Sequence, residues 1–302
     1  MTEKIQQILS WYPQENKAVL DKLERFLTQG RLGGTGKLVF LPVDQGFEHG
    51  PARSFAPNPP AYDPEYHPQL AIEAGLSGYA APLGFIESIA EKYANKLPLI
   101  LKLNSHTSLY MPEDRIPAIT ASVEDALRLR CSAIGFTIYP GSAYERLMYE
   151  QIARLAREAK KNGLAVIIWS YPRGKSLTKQ GETALDVVAY AAHIAVQLGA
   201  HIVKVKLPSS YVELEKNKPV YENIPKETIA DRVRHVIQSA FNGKRIVVFS
   251  GGPKKDEASI LEEVRGIKEG GGFGSIIGRN VFQRPKQEAL DLLDKIIDIY
   301  KS

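Results

Sequence analysis

Short, almost unbroken apolar runs recur along the chain, and each leads into a stretch where apolar residues return every three or four positions. The runs are Lys37–Asp44, Gly78–Leu83, Leu99–Asn104, Ala133–Tyr139, Ala165–Tyr171, His201–Leu207, Arg245–Ser250 and Gly274–Gly278. Apolar runs that do not alternate with polar residues suit strands covered on both faces, as in a parallel sheet. The segments between them carry helix signals. Ser122 with Asp125, and Thr183 with Asp186, show the capping spacing of a hydroxyl followed three positions later by an acid. Gly163 and Gly199 stand just past helical runs, where a left-handed cap needs no Cβ. Leu147, Ile152, Leu155 and Ala159 approximate one apolar stripe on the helix before Gly163. Eight strands alternating with helices predict an α/β fold, a (β/α)8 TIM barrel. An open doubly wound sheet is the alternative, but no G-x-G-x-x-G follows the first strand to support it.

Two segments stand outside the repeat. Residues 1–35 predict a helical N-terminal extension, with Ile5, Ile8 and Leu9 and then Val19, Leu20, Leu23, Phe26 and Leu27 at helical spacing. Residues 36–302 then form a single barrel domain. Between Gln45 and Pro68 the chain is rich in proline (Pro51, Pro57, Pro59, Pro60, Pro64, Pro68), which predicts a long ordered loop after the first strand. Such loops are often functional.

Composition narrows the class. At 302 residues and 44% hydrophobic content, the chain can fill a sizeable core, which excludes disorder and small stapled scaffolds. A net charge of +5 is spread among 34 acidic residues with no basic arm or block, so nucleic acid is not an expected partner. The surplus is compatible with a small anionic substrate. No apolar stretch approaches membrane-spanning length, and the first residues lack the core of a signal peptide. Cys131 is the sole cysteine, which rules out an intrachain disulfide and points to the cytoplasm. The six histidines (His49, His67, His106, His193, His201, His235) show no H-x-H or H-x-x-x-H pair, so no metal site is expected.

In such barrels the chemistry sits at the C-terminal strand ends. The first strand ends in Asp44-Gln45-Gly46-Phe47-Glu48-His49-Gly50, a polar cluster between glycines. The third carries Lys102, the fifth ends in Trp169-Ser170-Tyr171-Pro172-Arg173-Gly174, and the sixth contains Lys204-Val205-Lys206. Ser250-Gly251-Gly252 follows the seventh and Gly278-Arg279-Asn280 the eighth. Glycine turns allow close backbone approach, Arg279 adds a fork of donors, and barrels frequently bind phosphate at these two loops; tight turning alone is the other explanation. Lys204 and Lys206, two apart, point to the same side of their strand. Burial inside a barrel lowers a lysine towards the neutral amine, which attacks carbonyls to form a Schiff base; a second cation nearby pushes the same way. Alternatively both ammonium groups reach the barrel mouth and pair with carboxylates or phosphate.

Six segments in register, D-Q-G-F-E-H-G-P (44–51), L-K-L-N-S (101–105), W-S-Y-P-R-G (169–174), V-K-V-K (203–206), F-S-G-G-P-K (249–254) and I-G-R-N (277–280), resemble the archaeal-type class I fructose-bisphosphate aldolases, a family also found in bacteria. The resemblance covers roughly Lys37 to Phe282. It implies a metal-independent, cofactor-free lyase that splits fructose 1,6-bisphosphate reversibly into dihydroxyacetone phosphate and glyceraldehyde 3-phosphate, and it implies a homo-oligomer. Carried over by position, the Schiff-base lysine falls on Lys204, the acid/base tyrosine on Tyr171, its companion tryptophan on Trp169 and the aspartate on Asp44. Asp44 would orient a substrate hydroxyl or act as a base, and a nearby Lys204 or Lys206 would help Tyr171 reach the phenolate. Lys206 would be the neighbouring cation. Lys102 would reach the substrate or form a salt bridge with Asp44. His49 would touch a phosphate or hydroxyl, Glu48 would be a structural partner or a catalyst, and Arg173 would serve the second phosphate or pin its loop. Ser250, Gly251, Gly252, Gly278 and Arg279 would hold a phosphate. Gln45 and Leu207-Pro208 depart from the common family pattern, which has His and Tyr-Thr there. A related Schiff-base lyase or transaldolase-like enzyme for another phosphorylated sugar would share these residues. A non-catalytic sugar-phosphate-binding barrel would have no need of Lys204 with Tyr171.

Overall fold

All eight apolar runs form strands in the computed structural model, which describes residues 1–110, 112–252 and 255–302. They are β1 (Leu38–Pro42), β2 (Gly78–Ala81), β3 (Leu99–Lys102), β4 (Ala133–Ile138), β5 (Ala165–Ser170), β6 (Ile202–Lys206), β7 (Ile246–Ser250) and β8 (Gly274–Ile276). Each pairs in parallel with the next, and β8 closes on β1 through Leu38 opposite Gly274 and Phe40 opposite Ile276. The expected (β/α)8 barrel is formed. Its strands are apolar on both sides for a visible reason. Phe40, Ile100, Ile167, Ile202 and Val248 fill the interior, while their neighbours Leu41, Leu101, Ile168, Val203 and Phe249 pack against the helices.

The helices run in chain order as α1 (Glu3–Leu9), α2 (Lys17–Thr28), α3 (Gln45–His49), α4 (Pro51–Phe55), α5 (Tyr66–Glu73), α6 (Leu83–Tyr93) and α7 (Val123–Arg128). They continue as α8 (Glu145–Lys161), α9 (Leu185–Gln197), α10 (Lys218–Tyr221), α11 (Ile229–Ser239), α12 (Glu257–Glu269), α13 (Arg279–Phe282) and α14 (Lys286–Lys301). Ser122 and Asp125 form a reciprocal capping box on α7, and Gly163 and Gly199 adopt φ of +78° and +91°. Along α8 the buried stripe is Met148, Ile152, Leu155 and Ala159, with Leu147 turned to solvent, because helical spacing from Ile152 leads back to 148. None of the described helices is long and apolar enough to cross a membrane.

Two local expectations are corrected, and one further element is new. The Thr183–Asp186 cap does not form, because α9 starts at Leu185 behind Ala184. Asp186 is instead buried and accepts hydrogen bonds from the Glu213 and Leu214 amides and the Asn217 side chain, each at 3.0 Å. Three donors from the loop after β6 outweigh one local cap. The proline-rich segment after β1 is ordered, as expected, but it is not a loop throughout: α3, α4, a 3-10 turn at Pro59–Tyr62 and the start of α5 divide it, with prolines at helix N-termini where a missing N–H costs nothing. Finally, a two-stranded ribbon, Asn104–Ser105 with Ala118–Ile119, extends the loop after β3.

Helices α1 and α2 close the end of the barrel opposite the site. Ile5, Ile8, Val19, Leu23, Phe26 and Leu27 are buried in the same cluster as the barrel interior, and Phe26 packs edge-on against Phe40 with ring centroids 5.5 Å apart. Tyr12 donates to the His201 carbonyl at 2.7 Å, and Glu15 meets the His201 ring at 3.0 Å.

Candidate active site

Inward-facing positions alternate along each strand, so the last inward residue of each one lies at the mouth. The chemistry-bearing residues fall on that parity. Trp169 is level with Thr137 and Lys204 in the register, and Lys206 is level with Ser250. Trp169 needs room that Gly135 provides: a Cβ on Gly135 would lie 2.4 Å from the indole. With that space, the indole lies beneath both buried lysines, 5.3 Å from Lys204 Nζ and 5.5 Å from Lys102 Nζ. Tyr171, the next inward residue of the fifth run, has its ring 5.4 Å from Lys204 Nζ.

Above this floor opens a cavity of about 640 Å³, within the range of small-molecule sites. Lys204, Tyr171, Asp44, His49, Lys206, Ser250, Gly251, Gly252, Gly278 and Arg279 all line it. Trp169 and Lys102 do not, being 1% exposed beneath it. Lys102 instead lies 3.5 Å from Asp44 and donates to the Asn104 carbonyl at 3.0 Å, so of its two sequence alternatives the geometry has the ion pair. The phosphate segment continues in the sequence through Pro253 and Lys254, which lie outside the described residues.

The electrostatics separate the groups into roles. Burial lowers the Lys204 amine to about 8; Asp44 pulls it back up, while Lys102 and Arg279 push it further down. The cations that bear most on Lys204 are thus Lys102 and Arg279, while Lys206 pairs with Glu182 at 3.1 Å nearer the rim. Asp44 is pushed up by burial, but Lys102 and then Lys204 outweigh this and hold it below the usual carboxylate range. Tyr171 departs from expectation. Burial, with Asp44 and Glu48 adding to it, raises the phenol well above 10, and this outweighs the lowering by Ser250 and Arg173. Burial thus favours the protonated phenol in the free site.

Several cavity residues were not identified as site candidates from sequence: His106, Thr137, Glu182, Arg232 and Lys255. His106 directly follows the L-K-L-N-S segment and accepts or donates a 2.8 Å hydrogen bond with Tyr139. Glu182 comes from a 3-10 turn in the loop after β5 and Arg232 from the first turn of α11, and neither carries a motif. Asp44 and Glu48 are spaced i,i+4, the one local signal that both acids share a helical face. Among the described residues, no His, Cys, Asp and Glu side chains gather in a metal-binding group of three or more.

A closed barrel with a desolvated, readily neutral lysine inside the sixth strand, a phenol beside it and glycine turns across the mouth defines a lyase of the Schiff-base aldolase class. The chain belongs to the DeoC/LacD family of aldolases, whose profile matches residues 38–284. It is 44% identical over 251 residues to the fructose-bisphosphate aldolase class 1 of Thermoproteus tenax, covering 82% of this chain and 84% of that protein. It is 37% identical over 297 residues to the probable fructose-bisphosphate aldolase class 1 of Chlamydia muridarum, covering 94% and 85%. The crystal structure of an archaeal fructose 1,6-bisphosphate aldolase superposes with a TM-score of 0.77 at 38% identity, covering 93% of this chain and all of that one. A structure of a Schiff base forming fructose-1,6-bisphosphate aldolase matches with a TM-score of 0.75 at 39% identity, covering 92% and 98%.

Proposed function

We propose that this aldolase acts on fructose 1,6-bisphosphate, with Lys204 as the covalent nucleophile, in the step shared by glycolysis and gluconeogenesis. The observation that carries the reading is the Lys204 amine: 5% exposed, facing the cavity, and lowered by burial to about 8. At neutral pH an appreciable fraction is already the free amine, whereas an ordinary lysine near 10.4 is almost wholly ammonium.

The neutral nitrogen attacks C2 of the open-chain ketose and gives a carbinolamine. Tyr171, held protonated, donates to the C2 hydroxyl as water leaves, and the iminium forms. As the ionised Asp44 takes the C4 hydroxyl proton, the iminium withdraws the electron pair of the C3–C4 bond and glyceraldehyde 3-phosphate departs. Lys204 then carries the enamine of dihydroxyacetone phosphate; protonation at C3 restores the iminium, and water hydrolyses it to free the product and the amine. Asp44, kept ionised by Lys102, orients a hydroxyl beside the reacting carbons. Trp169 holds the amine from below. The backbone of Ser250, Gly251, Gly252 and Gly278 with Arg279 takes one phosphate, and the rim cations Arg173, Lys206 and Arg232 the other. The reading carries with it a homo-oligomer in the cytoplasm; Cys131 is a buried free thiol that burial raises to about 12, compatible with a reducing compartment.

Borohydride reduction in the presence of dihydroxyacetone phosphate tests it. Irreversible inactivation and an adduct mapped to Lys204 are expected. An adduct on Lys206 or Lys102 transfers the role to that residue, and no adduct at all removes the Schiff base.

A further inference from the structure

Two turns must agree before they can hold one phosphate. One follows β7 at Gly251 and Gly252, the other follows β8 at Gly278 and Arg279, and the ladder between these strands ends with Ile276 opposite Ser250. A single further backbone bond reaches across, from the Gly251 amide to the Ile276 carbonyl at 3.4 Å. Beyond it, strand pairing no longer sets where one turn lies relative to the other. A phosphate needs donors from both aimed at one point.

Asn280 crosses this gap. It is 1% exposed, lies in α13, and is not among the residues that line the cavity. Its side-chain amide is used at both ends: Nδ2 donates to the Gly251 carbonyl at 3.0 Å, and Oδ1 accepts from the Lys255 amide at 2.8 Å. One partner is a carbonyl and the other an N–H, so the partners themselves fix which way the amide points. Arg284 adds a second strap, its Nε donating to the Asn280 carbonyl at 2.7 Å and its Nη2 to the Lys255 carbonyl at 3.0 Å. The bracket is close-fitting: a Cβ on Gly251 would lie 3.3 Å from Asn280 Nδ2.

We propose that Asn280 is a positioning residue for the phosphate of the dihydroxyacetone half, tying the turn after β7 to the start of α13 so that the donors of both turns converge. This rests on Lys204 as the nucleophile and on the two turns as the phosphate site. That phosphate sits one carbon from the C2 that Lys204 attacks, and β7 is the strand paired with β6, with Val248 level with Lys204. The turn at the end of β7 is therefore within reach of it. Asn280 acts before the ligand arrives. Donors already aligned lose no freedom on binding, whereas turns that wander must be ordered by the anion, which weakens its hold.

The experiment runs borohydride trapping on Lys204 with two ketones, dihydroxyacetone phosphate and dihydroxyacetone, over a range of concentrations. The second offers the same carbonyl without the phosphate. N280A is expected to raise the half-saturating concentration of dihydroxyacetone phosphate by about 10-fold or more, from the loss of two buried hydrogen bonds. Its trapping rate at saturation should stay near that of the wild type, and its trapping of dihydroxyacetone should not change. Inorganic phosphate should compete with dihydroxyacetone phosphate in the wild type and do so more weakly in N280A. N280L fills the same space without either bond or any charge; it should shift dihydroxyacetone phosphate in the same direction, and it serves where N280A does not fold. An unchanged half-saturating concentration overturns the proposal. So does an equal loss with both ketones, because a merely structural Asn280 would not tell one from the other. A wild type that traps neither ketone removes the Schiff-base reading, and this proposal with it.

Discussion

Lys204 is a destabilising residue by the same physics that makes it reactive. Its amine falls from 10.5 in the unfolded chain to about 8 in the fold, chiefly by burial. Below pH 8 both states hold the proton, and the folded state bears the full cost of the buried ammonium. Between 8 and 10.5 the folded amine is already neutral and the cost fades, and above that range it is gone. K204M, which keeps the volume and drops the charge, should therefore raise unfolding stability at pH 7 by about 1–3 kcal/mol. Urea denaturation at pH 7 and pH 10.5 checks this. A gain undiminished at the higher pH would mean that better packing, and not charge, produced it. Asp44 keeps Lys102 as its partner in this variant, so no carboxylate is newly orphaned.

At the scale of elements, the strands were legible because barrel strands are apolar on both faces and short, and the turns after β7 and β8 because glycine marks them. That the sixth strand carries its lysines to the cavity was also legible, since two lysines inside an apolar run are conspicuous. What stayed hidden was which lysine sees which partner. The same-side rule is true of Lys204 and Lys206, yet one further step along β6 takes Lys206 nearer the rim, where Glu182 meets it. Glu182 arrives on a 3-10 turn, Gly181–Thr183, whose position depends on contacts between distant loops. The loop after β5 is clasped to the loop after β6: Glu213 accepts from the Thr178 amide and hydroxyl, each at 2.8 Å, and the Ser209 amide donates to the Thr183 carbonyl at 2.8 Å. No local pattern announces a clasp made across 35 residues. E213A removes two of these bonds and leaves the backbone one. Faster amide exchange confined to Thr178–Glu182 is expected, with a several-fold higher KM for fructose 1,6-bisphosphate and unaltered borohydride trapping of dihydroxyacetone phosphate at Lys204. Unchanged exchange at Thr178 would show that Glu213 does not hold the turn.

Across the whole molecule, the two ends of the barrel are put to opposite uses. One end is opened by the polar mouth; the other is sealed by α1 and α2, whose apolar faces continue the interior stack upward through Phe40 to Trp169. We propose that residues 1–35 fold with barrel 36–302 as one cooperative unit and do not form a separable extension. The motivating contacts are Leu23, fully buried in that stack, and the Tyr12–His201 and Glu15–His201 bonds that tie the segment to the start of β6. L23A leaves a cavity at the closed end and should lower unfolding stability by about 2–5 kcal/mol. It should do so in a single transition seen alike by fluorescence and circular dichroism. Because Leu23 lies at the end of the barrel away from Lys204, kcat of the folded variant at moderate temperature should match the wild type. Two resolved transitions, with the barrel melting where the wild type does, would show that the helices are an independent cap, and the interior stack would then be held by the barrel alone.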